Sequence, residues 1–353
     1  MFSCFLRSRR TQNKGKAEAP AVCDGDANDE NRYVDPPQFT LRLLTAATDN
    51  FDATNRLGVQ QQRERDLGPV FKGKLEDGQV VAVRRVPARY IRRQFHELRD
   101  ELLRAAELKH DNIVQLLGVC LERGEKLLVY EYLPNASLDT ILSSVNTEGR
   151  RRRHLDWEKR YSIIRGIARG LTYLHDESGQ GINLKGILRP SKVLLDADMN
   201  PKILDAGIIP PPNAEELDHT FVLDTTIYRY AAPEWVTIGR TSTKSDMFSF
   251  GVILLEVVTG QGMYHDWRNG NPNNSGLTYV WDKWNAGSVV DIADALLGHR
   301  YPLNEMCNCV HIGLLCLQED QKLRPDASTV MQALDTSSPT SLPTPSIPYG
   351  YRV

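Results

Sequence analysis

One stretch limits the fold more than any other. From Asp246 to Val258 the chain reads Asp-Met-Phe-Ser-Phe-Gly-Val-Ile-Leu-Leu-Glu-Val-Val, apolar on all sides of a helix. Such a helix has no face to offer water, so it must lie in the middle of something. It is not a membrane span. The run from Met247 to Val258 is interrupted by Ser249 and Glu256 and falls well short of the ~20 residues a crossing needs. The chain must therefore supply enough other structure to wrap it. At roughly 150 residues per domain, its length suggests two domains or two lobes with a sizeable core.

The order of elements narrows the choice. Gln79-Val-Val-Ala-Val83 and Lys126-Leu-Leu-Val-Tyr130 are short strand-like runs, and a helix around Arg92 to Leu108 interrupts them. Beyond Leu133-Pro134-Asn135 the pattern turns helical. Ile163, Ile164, Ile167, Ala168, Leu171 and Leu174 recur at helical spacing. A small β-rich lobe followed by a larger α-rich lobe is an α+β arrangement. Residues 1–36 are polar, mixed in charge and without periodicity, and are expected to be a disordered basic and polar tail. Residues 335–353 are rich in Pro, Ser and Thr and are expected to form an extended C-terminal tail.

Composition excludes several classes. A net charge of −2, with 25% charged and 41% hydrophobic residues, is ordinary for a globular protein. Near-neutrality argues against a dedicated nucleic-acid binder. Six cysteines (Cys4, Cys23, Cys120, Cys307, Cys309 and Cys316) are too sparse for a disulfide scaffold and lack zinc-site spacing, so reduced thiols in a cytoplasmic protein are expected. At the N-terminus, Cys4 lies among Phe2, Phe5 and Leu6 and is followed by Arg7, Arg9, Arg10, Lys14 and Lys16. A fatty-acylated Cys4 beside this basic cluster would supply the two signals that stable attachment to the inner face of a plasma membrane requires. The competing reading is a plain basic tail.

Many motifs in one order carry a family resemblance. Phe39-Thr-Leu-x-x-Leu44, Val80-Val-Ala-Val-Arg84, Leu108-Lys-His110-x-Asn112-Ile-Val and Leu127-Leu-Val-Tyr130-Glu-Tyr132-Leu-Pro-Asn135 come first. Ala232-Pro233-Glu234, Lys244-Ser245-Asp246-x-Phe248-Ser249-Phe250-Gly251 and Leu323-Arg324-Pro325 follow. Together they resemble the plant receptor-like protein kinases, closest to the cysteine-rich clade in a cytoplasmic form without ectodomain. The resemblance implies a bilobal protein-kinase fold. Residues 37–334 would form the kinase-like domain, with an N-lobe over 54–133 carrying one regulatory helix and an α-helical C-lobe over 134–334.

Fold and chemistry are separate questions. Phosphoryl transfer needs a phosphate cradle, a lysine on the phosphates, metal ligands and a base that positions the hydroxyl. Each part is altered here, by resemblance. The glycine-rich loop keeps Leu57, Gly58, Gly68 and Val70, but its middle glycine is missing. The outer glycines stand ten positions apart, twice the family spacing. A longer, looser hairpin is expected. The strand lysine is Arg84, still able to pair with Glu101 on the regulatory helix, but a guanidinium fork does not substitute freely for an ammonium.

The catalytic loop decides the matter. Ser191 and Val193-Leu-Leu-Asp196 hold its register against the family pattern. The position of the base Asp is then Ile187, whose alkyl side chain cannot accept a proton. The metal-ligand Asn is Lys192, whose charge repels Mg²⁺. Lys185 and Gly186 replace the preceding His and Arg, and Arg189 adds a further cation. In the metal-binding triplet, Asp205 is kept and Phe becomes Ala206. The family's stacked column would then hold Lys185 and Ala206, so different local packing is expected.

The adenine end looks intact. Val70, Ala82 and Leu194 are apolar, Glu131 to Leu133 offer hinge backbone, and Tyr130 stands where the family gates the back of the pocket or where a core tyrosine would sit. Glu234 and Arg324 would form the buried ion pair of the C-lobe, and Asp246 would hold the catalytic-loop backbone.

These residues imply a pseudokinase that acts as a scaffold or allosteric regulator through other protein kinases or their substrates, with no nucleic acid. ATP binding would be weak and Mg-independent. Asp205 would pair with Lys192 or Arg84 instead of a metal. The alternative is a slow Ser/Thr kinase in which Asp196 or Asp198 replaces the base. Arg150-Arg-Arg-Arg153 reads as a solvated loop, or else as a nuclear or acidic-partner patch.

Overall fold

A computed structural model describes residues 37–58, 68–87, 95–143, 155–184, 188–206, 228–263, 276–336 and 342–351, with the backbone alone over 95–100. The expected loose hairpin after Gly58, the loop positions 185–187, the basic run 150–153 and the N-terminal segment with Cys4 lie outside the described residues.

The first lobe is a five-stranded antiparallel sheet in the order β1-β2-β3-β5-β4. Its strands are β1 (Arg56–Leu57), β2 (Val70–Lys74), β3 (Val80–Arg85), β4 (Leu116–Cys120) and β5 (Leu127–Glu131). Alternation along β3 divides the lobe's two cores. Val81 and Val83 face outward and are covered by Leu44 of helix α1 (Leu41–Ala47). Ala82 faces inward beside its register partner Tyr130, toward Leu102 on helix α2 (Phe95–Glu107). Residues 37–53, which the sequence places ahead of the N-lobe, are thus built into it. Thr40 caps α1 by accepting from the Leu43 amide, and Phe39 N bonds to Val119 O at 2.8 Å. Leu44 is fully buried, so this lead-in closes the sheet's outer face.

A second, three-stranded sheet holds β6 (Asn135–Ser137), β7 (Val193–Leu195) and β8 (Pro201–Ile203). Helix α3 (Leu138–Ser143) follows β6. The His110-to-Val114 segment docks on β8. Ile203 N donates to Asn112 O at 2.8 Å, Val114 N donates to Ile203 O at 2.9 Å, and Asn112 Nδ2 reaches Pro201 O.

The large lobe is helical. Asp156 caps helix α4 (Trp157–Thr172) by accepting from Lys159 N, and its isoleucine stripe is buried. Helix α5 is Pro233–Ile238. The apolar stretch is helix α6 (Thr243–Thr259), with every residue from Ser245 to Thr259 buried. A reciprocal Ser242–Ser245 capping box starts it and Gly260, at φ 67°, ends it. It crosses helix α8 (Leu303–Cys316) closely. A Cβ on Gly251 would stand 2.6 Å from Cys316 Cβ, and one on Gly313 would stand 2.7 Å from Leu255 Cδ2. Helices α7 (Gly276–Asn285) and α9 (Ala327–Thr336) complete the lobe. Residues 342–351 do not stand off as a free tail. They pack back onto the helices, with Tyr349 N bonded to Leu317 O at 2.8 Å. Among the described residues, no helix is long and apolar enough to cross a membrane.

Candidate functional site

The two sheets frame a cavity of about 270 Å³. Leu57, Gly58, Gly68 and Val70 line it from β1 and β2, Ala82 and Arg84 from β3, and Tyr130 to Leu133 from the hinge. Lys192 and Leu194 close it from the other lobe. Gly68 is needed here: it has φ 88°, and a Cβ would lie 2.1 Å from the Arg85 carbonyl.

At the hinge end the walls are apolar. The Glu131 carboxylate is occupied, accepting from Gln115 N at 2.8 Å and from Lys202 Nζ at 2.9 Å. Glu131 therefore offers the cavity backbone rather than charge. The Leu133 amide has no partner among the described residues. An apolar slot with free backbone polar groups suits a flat heteroaromatic ring such as adenine.

The opposite end is a closed charge cluster around Asp205. Oδ2 accepts from Arg84 Nη1 and from Lys192 Nζ, each at 2.6 Å. Oδ1 accepts from the Tyr130 hydroxyl at 2.8 Å. All four side chains are buried. The hairpin register explains one contact: Val193 pairs with Ile203, so Lys192 and Leu204 flank the last rung, and Leu204 N donates to Lys192 O at 2.8 Å. Asp205 then turns inward at φ 63°. Burial opposes its ionisation, but Arg84 and Lys192 hold the carboxyl well below the usual range. Burial pulls the Lys192 ammonium down to about 7, against the attraction of Asp205, and the Arg84 and Arg189 cations add to the drop. Burial pushes the Tyr130 hydroxyl up, and the Asp205 carboxylate adds to it, so Tyr130 is a neutral donor.

The Arg84–Glu101 pair allowed by the sequence is not made. Glu101 is buried, but Arg84 forms its ion pair with Asp205 and leaves Nε without a partner. A buried carboxylate draws the nearest buried cations, because an uncompensated charge there is costly. Asp205 holds both cations at once, where the sequence offered one or the other. Tyr130 is a buried residue of the N-lobe core, and its hydroxyl completes the cluster. The only sequence signal was strand alternation, which does not reveal a bond to residue 205.

A divalent cation does not fit this arrangement. Both Asp205 oxygens are taken, two cations stand on one of them, and the second ligand position is Lys192. No group of three metal-ligating side chains occurs among the described residues. Nor does Asp196 stand free as a substitute base. Asp196 Oδ1 accepts from Asp198 N at 2.9 Å and Asn200 N at 2.8 Å, and Oδ2 accepts from Asn200 Nδ2. Its carboxylate is used to build the β7–β8 turn. Asp198 is exposed on that turn. Ala206 is buried in the large lobe's core.

The supporting anchors are in place. Arg324 makes a two-pronged pair with Glu234, both bonds 2.8 Å. Asp246 Oδ2 accepts from Leu184 N at 2.8 Å and is 2.9 Å from His175 Nε2, so it holds the chain entering the catalytic loop. Arg189 is buried and bonds Ser191 through Nε.

The family model described as protein tyrosine and serine/threonine kinase matches residues 63–334. The chain is similar to cysteine-rich receptor-like protein kinase 6 of Oryza sativa subsp. japonica, at 38% identity over 343 residues, which cover 96% of this chain and 47% of that protein. It is also similar to putative cysteine-rich receptor-like protein kinase 16 of Arabidopsis thaliana, 41% identical, with 88% and 45% covered. The chain spans about half the length of the curated relatives it matches. Among solved structures it is similar to the pseudokinase domain of BIR2, described as an immune regulator of the RLK/Pelle family. There the TM-score is 0.67 and the identity 27%, covering 88% of this chain and 92% of that one.

Proposed function

This chain belongs to the protein tyrosine and serine/threonine kinase family, and from that premise we propose that it is a pseudokinase that regulates an active kinase by binding it or its substrate. The observation that carries this reading is the saturation of Asp205 by Arg84, Lys192 and Tyr130. Phosphoryl transfer depends on a metal that spreads charge at the phosphates and on a base at the hydroxyl. The metal carboxylate is spent on protein cations, and the base position is Ile187. The intact Glu234–Arg324 and Asp246 anchors support a role that needs the shape of the kinase lobes. Similarity to the pseudokinase domain of BIR2, an immune regulator, supports the same reading.

ATP would bind weakly and without metal, its adenine in the apolar slot and its phosphates toward Lys192 and Arg84. Similarity to the cysteine-rich receptor-like kinases supports partners among other protein kinases or their substrates. Attachment to the inner face of the plasma membrane through Cys4 and its basic neighbours belongs to the same proposal.

Two measurements test it. Incubation with labelled ATP and either Mg²⁺ or Mn²⁺ is expected to give no autophosphorylation and no phosphate on generic substrates. Incorporation that disappears in Asp205→Ala would overturn the pseudokinase reading and establish the slow kinase. That second reading draws on the relatives, which are named as kinases, but Asp196 is tied into its turn. In a thermal-shift titration, ATP is expected to raise the melting temperature equally with and without Mg²⁺. A shift that requires Mg²⁺ would contradict the cluster's chemistry.

A further inference from the structure

Residues 342–351 follow a pattern that the kinase fold does not require. They read Leu-Pro-Thr-Pro-Ser-Ile-Pro-Tyr-Gly-Tyr. Pro345 and Pro348 are buried, and Leu342 and Tyr351 are partly buried, while Ser346 and Ile347 face water. Ile347 is 62% exposed. From Leu342 to Pro348 burial thus recurs at every third residue, the period of a polyproline II helix, and a turn with Gly350 at φ 88°, closed by Tyr351 N on Pro348 O at 3.2 Å, ends the run.

The receiving surface has the chemistry of a polyproline reader. Such grooves combine aromatic walls with a few donors to main-chain carbonyls, because a proline-rich chain offers acceptors but few amides. His311 Nε2 donates to Pro343 O at 2.7 Å, since a carbonyl can only accept. Trp284 lies tilted against the His311 ring, 5.4 Å between centroids and 50° between planes. Gln318 Nε2 donates to Ser346 O at 2.9 Å, and the Ser346 hydroxyl returns a bond to Gln318 Oε1. The Tyr349 ring meets Phe248 edge-on at 6.1 Å, and Tyr351 meets Trp281 edge-on at 6.4 Å. Leu317 O takes the Tyr349 amide.

We infer that this face of the large lobe is a recognition groove for polyproline segments, filled in cis by residues 342–351, and that a partner's Pro-x-x-Pro-aromatic segment takes it in competition. The resident segment states the ligand's chemistry. Its anchors are main-chain carbonyls, prolines at a spacing of three and aromatic rings, all of which another chain can present. The inference does not depend on the state of the nucleotide site.

Competition has a measurable form. A tethered ligand sits at an effective concentration on the order of millimolar. A free peptide with an intrinsic Kd of roughly 0.1 mM is therefore weakened about tenfold by the resident segment. The probe is a fluorescent synthetic peptide of residues 342–351. Binding to the full chain is expected to tighten about tenfold in Pro345→Ala/Pro348→Ala, where the resident segment is weakened. It is expected to be lost again when His311→Ala and Gln318→Ala are added. No binding to a Pro345→Ala/Pro348→Ala chain that melts cooperatively would overturn the groove, leaving the segment a structural strap. A second measurement needs only the unaltered chain. Excess peptide should speed hydrogen exchange at the Tyr349 amide by displacing the resident segment. Unchanged protection there, at peptide concentrations above a millimolar, would equally overturn exchange in trans.

Discussion

Two buried charge clusters, one in each half of the molecule, are built on opposite plans. Arg324 is surrounded by acceptors: Glu234 takes two bonds, and the carbonyls of Gln318, Lys244 and Glu319 take the rest. One cation meets one carboxylate, and the guanidinium is satisfied. Around Asp205 two cations share one carboxylate, Arg84 Nε has no partner, and Lys192 is held near its titration point. A balanced, saturated pair is a structural joint. An unbalanced cluster facing a cavity carries one cation in excess, and uncompensated buried charge is what the interior tolerates least.

The largest expected effect breaks the balanced pair. Arg324→Ala should lower unfolding free energy by about 3–5 kcal/mol, read by urea denaturation, and ATP should not restore it. Asp205→Asn should also destabilise, but metal-free ATP should recover part of the loss because the freed cations face the cavity. If ATP rescues neither variant, the contrast between the clusters fails.

Lys192→Met sharpens the comparison. Removing one of two crowded cations should leave stability unchanged or raise it by about 1 kcal/mol, while metal-free ATP affinity falls about tenfold. A stability loss as large as that of Arg324→Ala would mean that Lys192 is as structural as Arg324.

The smallest effect is pH dependence. Lys192 carries a folded value near 7, below its ordinary 10.5. Between those values the unfolded chain holds a proton that the folded chain has shed, so this group's contribution makes stability rise with pH across that window. Below pH 7 the ammonium is charged, so metal-free ATP should bind several-fold more tightly at pH 6 than at pH 8. Lys192→Met should flatten both trends, and a chain whose ATP affinity ignores pH would refute the assignment.

Much of this was readable from the chain. The all-apolar stretch required a central helix, and α6 is that helix. That Ile187 stands at the base position is an expectation from a register held by Ser191 and Val193-Leu-Leu-Asp196, and position 187 lies outside the described residues. The pairing of Lys192 with Asp205 was within reach, since the two flank one short hairpin. The choice of Arg84 was not, because Asp205 and Glu101 were both plausible partners and only the placement of the strand against the second lobe separates them. The role of Tyr130 was equally hidden: strand alternation says which face it occupies, not which acid it meets. The C-terminal segment was read as an extended tail because Pro, Ser and Thr carry no core-forming pattern, and its contacts depend on helices far earlier in the chain.

The sequence by itself determined the two-lobed fold, the apolar residues at the hinge end of the cavity and the presence of an isoleucine at position 187. These depend on periodicity and on side-chain identity, which are local properties. The tertiary structure alone decided that Asp205 is saturated by protein groups and that residues 342–351 lie in an aromatic groove. Both outcomes depend on which distant polar and aromatic groups share a water-poor space, and only the folded chain sets those distances.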